Sequence, residues 1–106
     1  MDGANLEEIG KRISERRKLM RLTQEQLAEQ MEVSIQMISN LERGMKAIRI
    51  DNLIRASQIL GVSTDYILTG QQTDHDINSL AEQISLLKED RRKIVEMLVT
   101  FCLQEQ

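Results

Sequence analysis

The stretch that decides the fold runs from Thr23 to Gly44 and reads TQEQLAEQMEVSIQMISNLERG. It holds two short amphipathic segments. Each follows a hydroxyl side chain, Thr23 or Ser34, whose oxygen can accept from the first free amides of a helix. Gly44 tolerates a positive φ and therefore marks the end of the second segment. The apolar spacing predicts two helices, with inward-facing residues Leu27, Ala28 and Met31 in the first and Ile35, Ile38 and Leu41 in the second.

Two helices joined by so short a turn must cross steeply, which is the arrangement of a helix-turn-helix unit. In such a unit the second helix can enter the major groove of DNA. Its outward face is mostly uncharged here and rich in Gln, Asn and Arg. Gln and Asn amides can pair with adenine, and Arg can pair with guanine. The alternative is a small helical hairpin with a solvated polar face.

The same stretch resembles the helix-turn-helix of the Cro/repressor (XRE-type) family of bacterial and phage regulators. The matching residues are Thr23-Gln24, Leu27-Ala28, Val33-Ser34, Ile38-Ser39 and Glu42-Arg43-Gly44. The flanking segments IGKRISERRKLMRLTQ (residues 9–24) and LGVSTDYILTG (residues 60–70) match the family as well. The resemblance implies an all-α protein whose residues 1–70 form a five-helix, lambda-repressor-like DNA-binding bundle.

The resemblance also implies which residues touch DNA and which hold the site together. Helix 35–43 would read the bases, and Gln36 and Asn40, four residues apart, share one face of it. Arg17 matches a residue that pairs with the glutamate at Glu42, as a structural ion pair. The other basic residues of the first helix are expected to be solvated, with one or two near a phosphate. The predicted DNA-binding set is Gln24, Ser34, Gln36, Met37, Ser39, Asn40, Arg43 and Lys46.

Some members of this set have a second interpretation. Gln24 and Arg43 match phosphate contacts, but Gln24 also fits a plain surface residue. Met37 fits either a contact with a thymine methyl group or packing, and Lys46 fits either a backbone contact or solvation.

Several positions depart from the family pattern. Gly or Asn is common where Arg21 stands, and Gly where Glu32 stands, because such sites can need a left-handed backbone. Ile48 and Arg49 replace a Pro and a capping Ser. The fourth helix, over residues 51–60, is therefore expected to begin imprecisely. None of these departures changes the spacing of the motif.

Composition sets further limits. The chain has 106 residues, 41% hydrophobic and 29% charged, which suits one folded domain plus an appendage. Aromatic residues are 2% and proline is absent, so the core must be aliphatic. A single cysteine, Cys102, excludes an intramolecular disulfide and a multi-cysteine metal site. We expect no metal, no cofactor, no membrane segment and no signal peptide, hence a cytoplasmic location.

The charge is unevenly distributed. The net charge of −3 arises from residue 71 onward, where four Lys/Arg face seven Asp/Glu, whereas residues 1–70 carry ten of each. Basic residues crowd the first helix and the loop after Gly44. This distribution predicts modest non-specific affinity for DNA and more reliance on direct contacts.

A polar linker at residues 71–76, with a solvated His75, precedes a helical oligomerisation segment at residues 77–106. Two helices with a turn near Lys88 are favoured over one continuous helix. A heptad-like seam predicts dimerisation through Ile77, Leu80, Ile84, Leu87, Ile94, Leu98 and Phe101. The alternative is that the segment folds back on its own domain. Cys102 is expected to be a small buried residue.

The sequence thus predicts a sequence-specific regulator that binds double-stranded DNA, as a homodimeric repressor on a palindromic operator. The alternative is an antitoxin-type or other interaction regulator whose C-terminal helices bind a partner protein. An enzyme is disfavoured, because the chain shows no nucleophile–base arrangement and no phosphate-binding glycine loop.

Overall fold

The computed structural model describes residues 4–104, apart from the side chain of His75, whose predicted solvation lies outside the described residues. This part of the chain is helical, without strands, which confirms the all-α prediction. It forms two compact units, and the boundary along the chain lies between Thr73 and Asp74. The helices are α1 (Leu6–Leu19), α2 (Gln24–Met31), α3 (Ile35–Glu42), α4 (Ile50–Leu60), α5 (Thr64–Thr69), α6 (Asp74–Ser85) and α7 (Glu89–Gln104).

Helix α1 begins where the Asn5 side chain accepts from the Glu8 amide at 3.1 Å. Its buried face contains Ile9, Ile13 and Arg17, spaced four residues apart. Apolar spacing from Ile9 and Ile13 also predicts Leu19 and Met20 on this face, and this prediction is wrong, because Leu19 is 71% exposed and Met20 is 44% exposed. The four-residue spacing brings Arg17, not Leu19, onto the buried side of the helix.

The two motif helices begin at the predicted caps. The Thr23 hydroxyl accepts from the Gln26 amide at 3.0 Å, and the Gln26 side chain accepts from the Thr23 amide at 2.9 Å. This reciprocal pair is a capping box. The Ser34 hydroxyl caps α3 by accepting from the Met37 amide at 3.0 Å.

The predicted inward-facing residues of these two helices are buried, except for Ile35. Ile35 is 49% exposed. Ile35 and Leu41 lie about 60° to either side of Ile38 around the helix axis. Helix α1 crosses α3 on the Leu41 side, where Gly10 lies against the Leu41 carbonyl. The Ile35 side of the helix is left outside the core.

The turns carry the left-handed backbone expected at two non-glycine positions. Arg21 has φ 59° and Glu32 has φ 58°. Gly44 has φ 74° after the end of α3, as predicted for a helix stop. Helix α4 begins at Ile50, after an Arg49 whose side chain makes no capping hydrogen bond.

All five helices of the first unit, α1 to α5, contribute residues to its core. The Ser63 hydroxyl caps α5 by accepting from the Tyr66 amide at 3.0 Å, and Ile67 of that helix is buried. The apolar run Tyr66-Ile67-Leu68 predicts that Leu68 also closes the core, but Leu68 is exposed. The buried cluster consists of Ile9, Ile13, Leu27, Ala28, Met31, Ile38, Leu53, Ala56, Leu60 and Ile67.

The second unit contains α6 and α7 with a break at residues 86–88, which confirms the preference for two helices. Helix α6 begins at Asp74, so the last part of the expected linker is helical. Asp74 and Asp76 lie in its first turn, where carboxylates are favoured by the helix dipole. Within residues 74–104 no hydrophobic side chain is buried, and Cys102 is exposed rather than buried. None of the described helices is long and apolar enough to cross a membrane.

Candidate DNA-binding surface

Helix α3 is held against α1 by a buried ion pair. Arg17 Nε donates to Glu42 Oε2 at 2.7 Å and Arg17 Nη2 donates to Glu42 Oε1 at 3.0 Å. The two side chains are 10% and 6% exposed. Hydrogen bonds to Glu42 raise the pKa of Arg17 above its ordinary value, although burial opposes this shift, so the guanidinium stays charged. Arg17 Nη1 also donates to the Leu22 carbonyl at 2.8 Å, which ties the pair to the turn before α2.

Gln24 belongs to the same cluster. It is the first residue of α2, and its Nε2 donates to Glu42 Oε1 at 3.1 Å. One carboxylate therefore binds both the α1 arginine and the side chain expected to meet a phosphate. Gln24 is half-buried, so it is an anchored group rather than a free surface amide.

The outward face of α3 carries a second hydrogen-bonded group. Gln36 Nε2 and Arg43 Nη2 each donate to Asn40 Oδ1, both at 3.0 Å. Arg43 Nε also donates to the Ser39 carbonyl at 3.3 Å. Gln36 and Arg43 are exposed, and Asn40 is half-buried. The structure thus connects Gln36 and Asn40, the predicted base contacts, with Arg43, a predicted phosphate contact.

The other predicted residues lie around this surface in different roles. The hydroxyl of Ser34 serves as the α3 cap, and the residue is exposed. Met37 and Ser39 are half-buried. Part of the Met37 side chain therefore packs against the protein and part faces solvent, where it can contact DNA. Lys46 is exposed in the loop after α3.

Three arginines serve as helix caps, a role that the sequence reasoning missed. Arg12 donates to the Ile67 and Leu68 carbonyls at 2.8 and 3.1 Å, and Arg16 donates to the Leu60 carbonyl at 3.0 Å. The expected solvated role is therefore wrong for both arginines. They cover the carboxyl ends of α5 and α4, where carbonyls lack intrahelical partners and the dipole favours cations.

Arg55 caps the carboxyl end of α2 by donating to the Met31 carbonyl at 2.6 Å. The sequence places Arg12 and Arg16 directly before Ile13 and Arg17 of the buried α1 stripe and thus beside the core, but it does not indicate which carbonyls they meet.

Two glycines allow close approach of α1 to α3. A Cβ on Gly10 would clash with the backbone oxygens of Leu41 and Glu42, the second at 2.6 Å. A Cβ on Gly44 would lie 2.8 Å from the Glu7 Cα. The position of α3 therefore depends on backbone-to-backbone contacts at both sites.

Comparison with known proteins agrees with this architecture. A helix-turn-helix family profile matches residues 13–67, more than half of the chain. The HTH-type transcriptional regulator ImmR of Bacillus subtilis is 32% identical over 88 residues, covering 77% of this chain and 69% of ImmR.

Two solved structures extend the comparison. The P22 c2 repressor, determined in complex with a synthetic operator, is 36% identical with a TM-score of 0.58, covering 59% of this chain and 96% of that chain. The clp gene regulator ClgR from Corynebacterium glutamicum is 27% identical with a TM-score of 0.59, covering 92% and 96%. The capped motif helices, the matching profile and these relatives lead to one conclusion. This chain belongs to the XRE-type (Cro/repressor) helix-turn-helix family of DNA-binding transcriptional regulators.

Proposed function

We propose that this regulator is a homodimeric repressor that binds a palindromic operator through helix 35–43. The observation that carries the proposal is the connected polar surface of Gln36, Asn40 and Arg43 on a helix fixed by the buried Arg17–Glu42 pair. A surface of this kind can meet base edges without first being ordered. Repression would then follow from occupancy, since a bound dimer excludes polymerase from the operator.

Contacts to the DNA backbone are assigned to the rim of this surface. Gln24 sits at the start of α2, where free amides and the helix dipole favour a phosphate. Arg43 and Lys46 supply positive charge on the exposed side. Ser34, Met37 and Ser39 complete the proposed contact set. Phosphate contacts give affinity without sequence information, so specificity is assigned to Gln36 and Asn40.

The dimer interface is assigned to the seam of the second unit. Five of its seven residues are 54% to 59% exposed, namely Ile77, Leu80, Ile94, Leu98 and Phe101, whereas Ile84 and Leu87 are half-buried. Apolar side chains spaced along two helices and left uncovered are typical of an interaction surface. Two-fold pairing of two copies would present two α3 helices about 34 Å apart, one turn of DNA.

The test combines molar mass and DNA affinity. We expect light scattering to give the mass of a dimer for the full chain and a monomer for the Leu98→Asp variant. In fluorescence anisotropy the variant should bind a selected palindromic duplex at least tenfold more weakly than the native protein. A matched Glu96→Gln change on the same helix serves as the control. A monomeric native chain would contradict the proposed dimer.

A second candidate function rests on apolar surface outside the seam. Leu86, Met97 and Leu103 are more than 60% exposed. A two-fold dimer through one seam does not require them. This excess favours the alternative of an antitoxin-type or other regulator whose C-terminal helices bind a partner protein. A native monomer that still binds DNA would move this candidate to first place.

A further inference from the structure

The hydrogen bonds on the outward face of α3 define which chemical groups of Asn40 remain for DNA. A guanidinium has only donors, so the Asn40 atom that faces Arg43 Nη2 at 3.0 Å is the side-chain oxygen. The Gln36 group that faces the same oxygen at 3.0 Å must then be its NH2. The orientation of both amides thus follows from the chemistry of Arg43.

This arrangement saturates one end of the Asn40 amide. A carbonyl oxygen has two lone pairs, and Gln36 and Arg43 each take one. The two hydrogens of Nδ2 remain. A bidentate pair with adenine needs the oxygen to accept from N6 while the nitrogen donates to N7. Asn40 can make that pair only by giving up one of its two bonds inside the protein.

Gln36 is in a different position. Its Nε2 carries two hydrogens, and only one is used toward Asn40. The second hydrogen and Oε1 together match the N7 acceptor and N6 donor of adenine. Gln36 can therefore pair with adenine while it keeps its bond to Asn40. The two amides present different hydrogen-bonding edges, although they lie one helical turn apart on one face.

We propose that Asn40 acts as a donor only and selects a keto base, guanine through O6 or thymine through O4, while Gln36 reads adenine. Guanine offers N7 and O6 to the two Asn40 hydrogens and thymine offers O4, whereas adenine offers only N7 beside an amino group and cytosine offers only an amino group. The two positions are neighbours in the half-site, since one helical turn advances about 5.4 Å. This inference rests on the proposed DNA-reading role of α3.

The test uses selection from a random duplex library with the full-length protein. The operator position whose preference disappears in Asn40→Ala is assigned to Asn40. We expect a keto base there, preferred over adenine and cytosine by about 5-fold or more in dissociation constant. Separate measurements with guanine and thymine identify which of the two is read.

The Asn40→Asp variant then inverts the polarity. Its carboxylate still accepts from Gln36 and Arg43 but has no hydrogens to offer. The preference should switch from keto to amino bases, as carboxylates accept from cytosine N4. The Gln30→Glu variant makes the same charge change at an exposed position on α2 and should leave the preference unaltered. Circular dichroism melting verifies that each variant is folded.

The remaining outcomes all count against the inference, in distinguishable ways. Adenine at the Asn40-dependent position of the native protein would overturn the donor-only assignment and leave the proposed function standing. A keto base that persists unchanged in Asn40→Asp would show that another residue reads it. A library with no enriched sequence would overturn both the inference and the proposed function.

Discussion

Residues 4–73 bury eleven hydrophobic residues, whereas residues 74–104 bury none, although both units consist of regular helices. Five crossing helices can surround a shared core, and two helices alone cannot. Most helix stability in proteins comes from packing of an apolar face rather than from intrinsic propensity. The difference shows that the first unit has a core of its own, and it supports the proposal that the second unit is completed by a partner.

The stability of the first unit is expected to depend most strongly on its buried ion pair, Arg17–Glu42. Glu42→Ala should lower the free energy of unfolding by about 3–5 kcal/mol, because it leaves the Arg17 guanidinium buried without its carboxylate. Urea denaturation followed by circular dichroism measures the loss. The double variant Arg17→Met/Glu42→Leu should recover most of it. A loss below about 1 kcal/mol, the range of surface pairs, would contradict the role assigned to this pair.

The crossing of α1 and α3 is the next most sensitive point. Gly10→Ala should cost about 2–3 kcal/mol, since the new Cβ would meet backbone oxygens that cannot rotate away. Thermal unfolding gives the value. Glu15→Ala, at an exposed position of the same helix, is the matched control and should change stability little. Equal stability of the two variants would mean that the helices can separate freely.

The proposed dependence of the second unit on a partner can be tested without mutation. Binding of a second copy stabilises the bound form by mass action. Because the free-monomer concentration of a homodimer rises as the square root of the total, a hundredfold rise in protein concentration should increase the free energy of opening of α6 and α7 by up to about 1.4 kcal/mol. Hydrogen exchange at two concentrations reports this for residues 74–104, while α1 to α5 should not respond. Equal exchange rates of residues 74–104 at both concentrations would contradict the proposal that a second copy stabilises the second unit.

The smallest expected effect is a gain in the first unit. Arg21→Gly should stabilise the protein by about 0.5–1 kcal/mol, because a left-handed backbone at φ 59° costs a side-chain-bearing residue more than it costs glycine. The control Lys18→Gly, within α1, should destabilise by about 1 kcal/mol. Thermal melts of both variants make the measurement, and a loss in Arg21→Gly would contradict strain at this turn.

Local features of the fold were predictable from the sequence, and distant ones were not. Thr23, Ser34 and Gly44 act within a few residues of themselves, so their roles follow from short patterns. The errors at Leu19 and Ile35 concern the edges of apolar stripes, where the crossing of another helix decides burial.

In the candidate site, too, local features were predictable from the sequence and long-range contacts were not. The face shared by Gln36 and Asn40 follows from helical spacing. The bond from Gln24 to Glu42 joins two helices and has no local signal. The capping roles of Arg12 and Arg16 depend on carbonyls 44 to 56 residues away along the chain, which no short pattern can reveal.

The order of translation determines when these long-range caps can form. Arg12 leaves the ribosome long before its partner Leu68, which lies 56 residues further on. At about 5–20 residues per second, the α1 arginines wait roughly 2–11 s before the ends of α4 and α5 exist for them to cover. During that interval the nascent chain already carries α1, both motif helices and the Arg17–Glu42 pair that joins α1 to α3. All partners that hold α3 against α1 are therefore translated before the ends of α4 and α5 can be capped.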